Sequence, residues 1–503
     1  MRFIDFVIKE PQNKRYLLIA VAGTTVEFII FKLLYPFADF FSDSYSYIYA
    51  AYANLDINIW PIGYSKFLRL FHFVTHSDTA LVAFQYFFLE LSCLYFFFTI
   101  LLFYQSGKTT RLILFVFLFF NPLFLYISNY VNSDPLFAAL SLLWFTELLW
   151  IIQRPRLYHV FTQALLLFLA FTVRHNAMYY PIISAMVFTL SRQHLWRKVA
   201  GALLGVALII PFVLFERNAA YKMYGVKQFS PMSGWLLANN ALYMYGHIQV
   251  DNAKLPTPET RELDTLAKNF YRRVIPGFDE YLTDYVANFF IRQPEAPLKR
   301  YVRHNYKAKN DYDLIIVWGK TSVVFGDFGN WLIKHYPLEF SRYFLWRNTK
   351  NYFLPPLEKL EVYNLGEDEV EPIEKFWFDY KSLKISSVSK NLQSTILFLF
   401  PILFALLNFY CVGGIGLLLI QQKKKHSYIS PKKTILIAGS FLILNMLFCI
   451  GTTIIVLRYE FFPMIICLML SIIILELLNK KEMIVNEDSV NISKERKILS
   501  PIH

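Results

Sequence analysis

Long apolar blocks alternate with short polar segments along most of this chain. A block of about 18 or more apolar residues is long enough to cross the hydrocarbon of a bilayer as a helix. Residues 395–420 and 434–457 are two such blocks. Block length and polar flanks together predict about ten spans, at 16–35, 79–104, 112–128, 135–152, 158–173, 177–190, 199–215, 395–420, 434–457 and 461–478. The predicted class is an all-α polytopic membrane protein. One stretch, 216–391, breaks the alternation by mixing aromatic, charged and proline-containing segments. It is long enough to fold as a small domain, with helical spacing at 257–274 and 336–353. The predicted organisation is a seven-span module over 1–215, an extracytoplasmic mixed domain over 216–391, a three-span module over 392–479 and a tail over 480–503.

Charge adds sidedness. The formal net charge is +13, which in a soluble chain would suggest nucleic acid. Here the basic residues fall in every second connection. They are Arg2, Lys9, Lys14 and Arg15, then Lys108 and Arg111, Arg154 and Arg156, and Arg192, Arg197 and Lys198. Lys423, Lys424, Lys425, Lys432 and Lys433 follow, and Lys480 and Lys481 open the tail. That is the positive-inside pattern, so these connections and both termini are predicted to be cytoplasmic. Membrane lipid is the expected partner, and nucleic acid is not. Residues 1–15 are polar and the first apolar block has no small-residue cleavage pattern, so no cleavable signal is expected. Cys93, Cys411, Cys449 and Cys467 all lie in apolar blocks, which suggests packing residues and neither a disulfide framework nor a zinc site.

Candidate chemistry then falls on the outer side. The first outer loop, 36–78, contains Asp39, Asp43, Tyr45 and Tyr47 among aromatics. As a helix it would put Asp39, Asp43 and Tyr47 on one face at the bilayer surface. Trp60-Pro61-Ile62-Gly63-Tyr64 leads into a second amphipathic stretch. Asn132-Ser133-Asp134-Pro135 opens the fourth span; Ser133 or Asp134 could cap that helix, and Asp134 could also face Asp43. Arg174-His175-Asn176 and Arg458-Tyr459 place arginines on the outer side, against the usual bias. A guanidinium is the preferred partner of a phosphate, because its planar fork donates two parallel hydrogen bonds. Arginines at span ends also snorkel without further role. Trp235 and Asn239, early in the large outer region, could hold hydroxyls or simply pack. Glu27 is an acid inside the first span, where ionisable residues are functional candidates.

The order of these features resembles the type-C superfamily of polyprenyl-phosphate-sugar-dependent glycosyltransferases. The resemblance rests on Asp43-Ser-Tyr-Ser-Tyr47, Pro61-Ile-Gly63-Tyr64, Asn132-Ser-Asp134-Pro135, Arg174-His-Asn176, a large outer region after the seventh span, and Arg458-Tyr459. It covers most of the chain as an order of motifs. It implies a polyprenyl-phosphate-linked sugar donor reached from the bilayer, and a glycan, lipid or protein acceptor on the extracytoplasmic side. Asp43 best matches the family's catalytic base, with Asp39 as competitor and Asp134 nearby. Arg174, Arg458 and Tyr459 would hold the donor phosphate, and Tyr47, Tyr64, Asn176, Trp235 and Asn239 would contact substrate. No second acid stands directly beside Asp43, unlike in some branches. Some members bind a divalent metal through acids, and Asp39 with Asp43 could form such a pair. Hard cations usually take more oxygen ligands than two carboxylates supply. The large loop contains no N-glycosylation sequon, which favours a plasma (inner) membrane over the endoplasmic reticulum. Two rival readings are an O-antigen ligase or polymerase and a lipid-linked glycan transporter or flippase. The first would not require the first-loop acids, and the second predicts paired hydropathy halves, which the chain lacks.

Overall fold

The computed structural model describes residues 2–104, 106–273, 288–422 and 431–478. Among these residues there is no strand, only two isolated bridges, Asp39 with Tyr130 and Glu369 with Lys384. The chain opens with α1 (Phe3–Lys9), α2 (Pro11–Leu34), α3 (Ser42–Tyr52), α4 (Ile62–His72) and α5 (Asp78–Phe103). It continues with α6 (Lys108–Phe119), α7 (Pro122–Asn129), α8 (Ser133–Gln153), α9 (Tyr158–Val173), α10 (Tyr180–Leu190) and α11 (Leu195–Tyr224). The region predicted to lie outside contains α12 (Pro231–Leu242), α13 (Pro258–Tyr271), α14 (Asp311–His335) and α15 (Trp346–Phe353). The last apolar helices are α16 (Leu392–Ile420), α17 (Lys432–Thr452) and α18 (Phe461–Leu478).

Eight helices among the described residues are long and apolar enough to cross a membrane, α6 and α7 counting as one. The protein is a helical, multi-pass membrane protein. The sequence predicts about ten spans, and the difference lies at α9 and α10. These have 16 and 11 residues, or roughly 24 and 16 Å of rise, short of the roughly 30 Å hydrocarbon core. Arg174 leaves the helical region at φ −149°, a 3-10 turn follows, and Pro181 restarts the chain as α10. The predicted span at 199–215 is also longer, continuing to Tyr224, where Gly225 closes it in the left-handed conformation.

The apolar helices divide by burial. Helix α8 is the centre of the bundle, with 89% of its apolar window buried. Helices α2 and α11 instead expose Leu18, Val26, Leu33, Leu203, Ile210 and Leu214. Such an uninterrupted apolar outer face is what acyl chains cover, since each helix satisfies its own backbone. The outer region has its own core, in which Trp235, Phe325 and Phe328 are buried. Its centre is the packing of α12 on α14, with backbones so close that a Cβ on Gly234 would lie 1.7 Å from the Ser322 carbonyl oxygen.

Two details position the outer rim. Gly63 lets α4 lie against the end of α9, since a Cβ there would sit 2.5 Å from the Thr172 carbonyl oxygen. Amide side chains of the outer region hold the end of α17 and the turn after it. Asn348 Nδ2 donates to the carbonyls of Ile450 (2.9 Å) and Thr453 (2.6 Å), and Asn348 Oδ1 accepts from Ile455 N–H (2.8 Å). Asn240 Nδ2 donates to the Thr452 carbonyl (2.9 Å). These satisfy carbonyls that a helix terminus leaves without intrahelical partners.

The alternation of basic connections gives a direct test of sidedness. Cysteines introduced at Thr257 and at Arg192 should label from opposite sides of intact cells, Thr257 from outside. Labelling of both from one side would overturn the predicted topology.

Candidate functional site

The helix predicted for the first outer loop starts later than its acidic spacing suggests. Asp39 precedes α3 and lies in extended chain: its N–H donates to the Asn129 carbonyl (2.9 Å), and its carbonyl accepts from Val131 N–H (3.0 Å). Its carboxylate is buried and accepts from Asn364 N–H (2.9 Å). Burial pushes this carboxyl well above its ordinary value, with hydrogen bonds from Asn364, Tyr130 and Phe40 opposing. The shared face expected for Asp39, Asp43 and Tyr47 does not form, because Asp39 precedes the helix and is held apart by Asn364 N–H. Among the described residues, no three His, Cys, Asp or Glu side chains are grouped to hold a metal ion.

Asp43 lies in the first turn of α3, where the helix dipole favours a negative charge. One turn on, the Tyr47 hydroxyl meets Ser133 Oγ at 3.0 Å. The fourth predicted span begins with Asn132 as the cap, not Ser133 or Asp134. Asn132 Nδ2 also donates to Asp134 Oδ2 (2.7 Å). Asp134 is thereby left for two arginines. It forms a close ion pair with Arg174, and Arg458 Nη1 reaches its Oδ2 at 3.1 Å. Arg174 enters from the end of α9 and Arg458 from a 3-10 turn, Leu457–Tyr459, just before α18. Arg458, 324 positions along the chain from Asp134, thus joins Arg174 on one buried carboxylate.

Arg458 also extends toward Asp43, Nη2 to Oδ2 at 3.6 Å, and donates to the Tyr459 hydroxyl at 3.0 Å. Its Nε is buried and has no hydrogen-bond partner. The guanidinium lies over the rings of Phe41 (5.0 Å) and Tyr459 (4.7 Å), and Arg174 lies over Tyr459 (5.1 Å). These aromatic faces support cations while leaving their N–H edges for other partners.

Three charged residues of this cluster carry no signal in the sequence. Lys359 Nζ stands 3.6 Å from Asp43 Oδ1, donates to Ser42 Oγ (3.1 Å) and lies over the Phe41 ring at 4.1 Å. Glu358, immediately before it, has a left-handed backbone (φ 54°) and pairs with Arg292 at 2.5 Å. A bulky residue adopts that conformation only where its surroundings enforce it. Burial works against an ionised Asp43, but Lys359, Arg458, Arg292 and Arg174 outweigh it and hold the carboxyl below its ordinary value. Burial in turn pushes the Lys359 ammonium down to about 8, with Asp43 opposing. The cluster contains four cations and the carboxylates of Asp43, Asp134 and Glu358, an excess of one positive charge.

A cavity of about 360 Å³ opens on this cluster. Asp43, Tyr47, Arg174, Asn176, Arg458 and Tyr459 all line it, while Asp134 lies behind the arginines. Its remaining wall is largely apolar, with Trp60, Phe229, Met232 and Phe448. His175, which the sequence analysis left without a role, also lines it. Burial holds that imidazole neutral, pushing it down to about 3.

The other predicted contacts lie elsewhere. Tyr64 is fully buried and donates to Gln85 Oε1 (2.7 Å), behind Tyr47. Trp235 stacks on Trp318 at 3.9 Å and donates to that residue's carbonyl (3.1 Å), a packing role. Asn239 is buried one residue behind the wall, donating to Asn288 Oδ1 (3.3 Å), and Asn288 lines the cavity. None of these three residues, expected to contact substrate, lines the cavity. Comparison with family models, with curated proteins and with solved structures returns no match for this chain.

Proposed function

We propose that this protein transfers a sugar from a polyprenyl-phosphate-linked donor to a hydroxyl acceptor on the extracytoplasmic side of the membrane. The observation that carries the reading is one cavity wall where Asp43 stands beside Arg174 and Arg458, in a cluster with one surplus positive charge. An ionised carboxylate can accept the acceptor's hydroxyl proton. The acceptor oxygen then bonds to the anomeric carbon as the bond from that carbon to the phosphate oxygen breaks. The departing phosphate gains charge, and preorganised guanidinium N–H groups stabilise it. The apolar remainder of the cavity and the adjacent membrane helices suit a donor whose lipid tail stays in the bilayer.

Mass spectrometry of cell-envelope lipids and glycans, with and without the protein, tests this reading. Loss of one glycosylated species, with accumulation of its lipid-phosphate sugar, is expected. An unchanged envelope would count against it.

The arginines make a sharper expectation. Arg174→Lys and Arg458→Lys keep the charge but lose the fork. A charge-assisted hydrogen bond contributes about 1.5–3 kcal/mol, so each change should weaken binding of a polyprenyl phosphate about 10- to 100-fold. Calorimetric titration of the purified variants measures this, and undiminished affinity would leave both residues as structural partners of Asp134.

A further inference from the structure

Asp43 is the cavity's base in the reading above, yet it is held as an anion by cations. Arg458 and Lys359 approach opposite oxygens of the carboxylate, each at 3.6 Å. Both distances exceed a hydrogen bond, so these are charge contacts that can be exchanged. Arg458 is tethered from behind by Asp134 and presents itself to the cavity beside Arg174. Lys359 does not line the cavity; it sits behind Asp43, fixed by Ser42 Oγ and the Phe41 ring. A phosphate entering from the cavity side thus meets Arg458 before Lys359.

We propose that Asp43 and the donor phosphate compete for Arg458, and that Lys359 is the positioning residue that keeps Asp43 in place once the phosphate has taken the arginine. The inference rests on the reading above and adds an order to it. A carboxylate shared between two cations is a poor proton acceptor, because each cation favours its ionised form. Drawing Arg458 onto the phosphate removes one of them and brings another anion close, and both changes raise the basicity of Asp43. The base is therefore unmasked by donor binding, and the donor binds before proton transfer from the acceptor can occur. The groups facing Asp43 are Lys359, Arg458, Arg292, Arg174 and Tyr47, with Asp134 and Glu358 held by the arginines. Of the two cations paired with Asp43 among the described residues, Arg458 lines the cavity and Lys359 does not.

The test is calorimetric binding of farnesyl phosphate to the purified full-length protein in detergent, with farnesol as the uncharged control. Competition predicts that Asp43→Asn binds farnesyl phosphate more tightly than wild type, by at least about tenfold given the coupling measured for close charge pairs. Such a gain cannot come from damaged folding. Lys359→Met leaves Asp43 relying on Arg458 alone and should bind more weakly than wild type. In the Asp43→Asn background the same change should cost less, because the competitor is already gone. Wild-type binding without a gain in Asp43→Asn would overturn the competition while leaving the phosphate site intact. Wild-type protein that binds farnesyl phosphate no better than farnesol would overturn the donor-phosphate reading itself. An equal loss from Lys359→Met in both backgrounds would remove Lys359 from the positioning role.

Discussion

Replacement of Asp134 by alanine is expected to be the most damaging single change in the site, lowering stability by about 3–5 kcal/mol. Asp134 is buried and accepts from both arginines, and Arg458 is buried with it. Removing one partner of a buried ion pair leaves the other charge desolvated and uncompensated, which costs more than the pair contributes when intact. Here two guanidiniums lose their counter-ion at once. They would then turn toward Asp43, the nearest remaining carboxylate, and the cavity wall would change shape. Asp134→Asn should be milder, since an amide oxygen can still accept one hydrogen bond while the charge is lost. Unfolding of purified variants at a fixed heating rate, together with farnesyl phosphate titration, measures both consequences. An Asp134→Ala protein that unfolds like wild type would mean that the arginines find other partners without cost.

Asp43→Asn should leave a protein that folds and binds lipid phosphate but transfers sugar about 10²- to 10⁴-fold more slowly, the usual range for loss of a general base. The amide keeps the size and the capacity to accept hydrogen bonds, so the loss isolates basicity. Single-turnover transfer by protein loaded with its native donor is the measurement. The pH dependence has a defined sign. The cations around Asp43 hold its pKa below the ordinary carboxylate value, so without donor the base stays ionised to lower pH than an ordinary carboxylate. With donor bound and Arg458 engaged elsewhere, the acid limb of transfer should move to higher pH. On the alkaline side, Lys359 loses its proton at about 8, and activity should decline above that point. Wild-type rates in Asp43→Asn would remove this residue from the chemistry. If Asp134→Asn alone were then slow, the base would have to be sought there.

Much of the architecture was legible because membranes constrain sequence harshly. Backbone must be satisfied within each span, so apolar blocks map onto helices and basic flanks mark the connections. The segments 158–173 and 177–190 were legible as apolar helices, and α9 and α10 stand there, but at 16 and 11 residues each falls short of a full span. Asp43, Asp134, Arg174 and Arg458 were legible for the opposite reason: each is a charge where the membrane setting disfavours one. Lys359, Arg292 and Glu358 lie in charged, irregular stretches, where nothing local distinguishes a buried ion from a solvated one. The i, i+4 argument for Asp39 and Asp43 failed on helix phase, since the helix begins at Ser42. Trp235 and Asn239 read both ways in the sequence, because an aromatic with neighbouring amides is equally suited to a sugar or to a core, and neither lines the cavity.

The amide contacts of Asn348 and Asn240 with the end of α17 bear on how the protein can be taken apart. The outer region supplies the donors that the terminal carbonyls of a membrane helix need, and those carbonyls lead directly into the turn with Arg458. Excising it, or exchanging it for the equivalent segment of another protein, would strip the end of α17 of these partners and leave its carbonyls bare. The region between α11 and α16 is therefore not an interchangeable cassette on a membrane scaffold. A chimera would have to carry α17 and the Arg458 turn along with it.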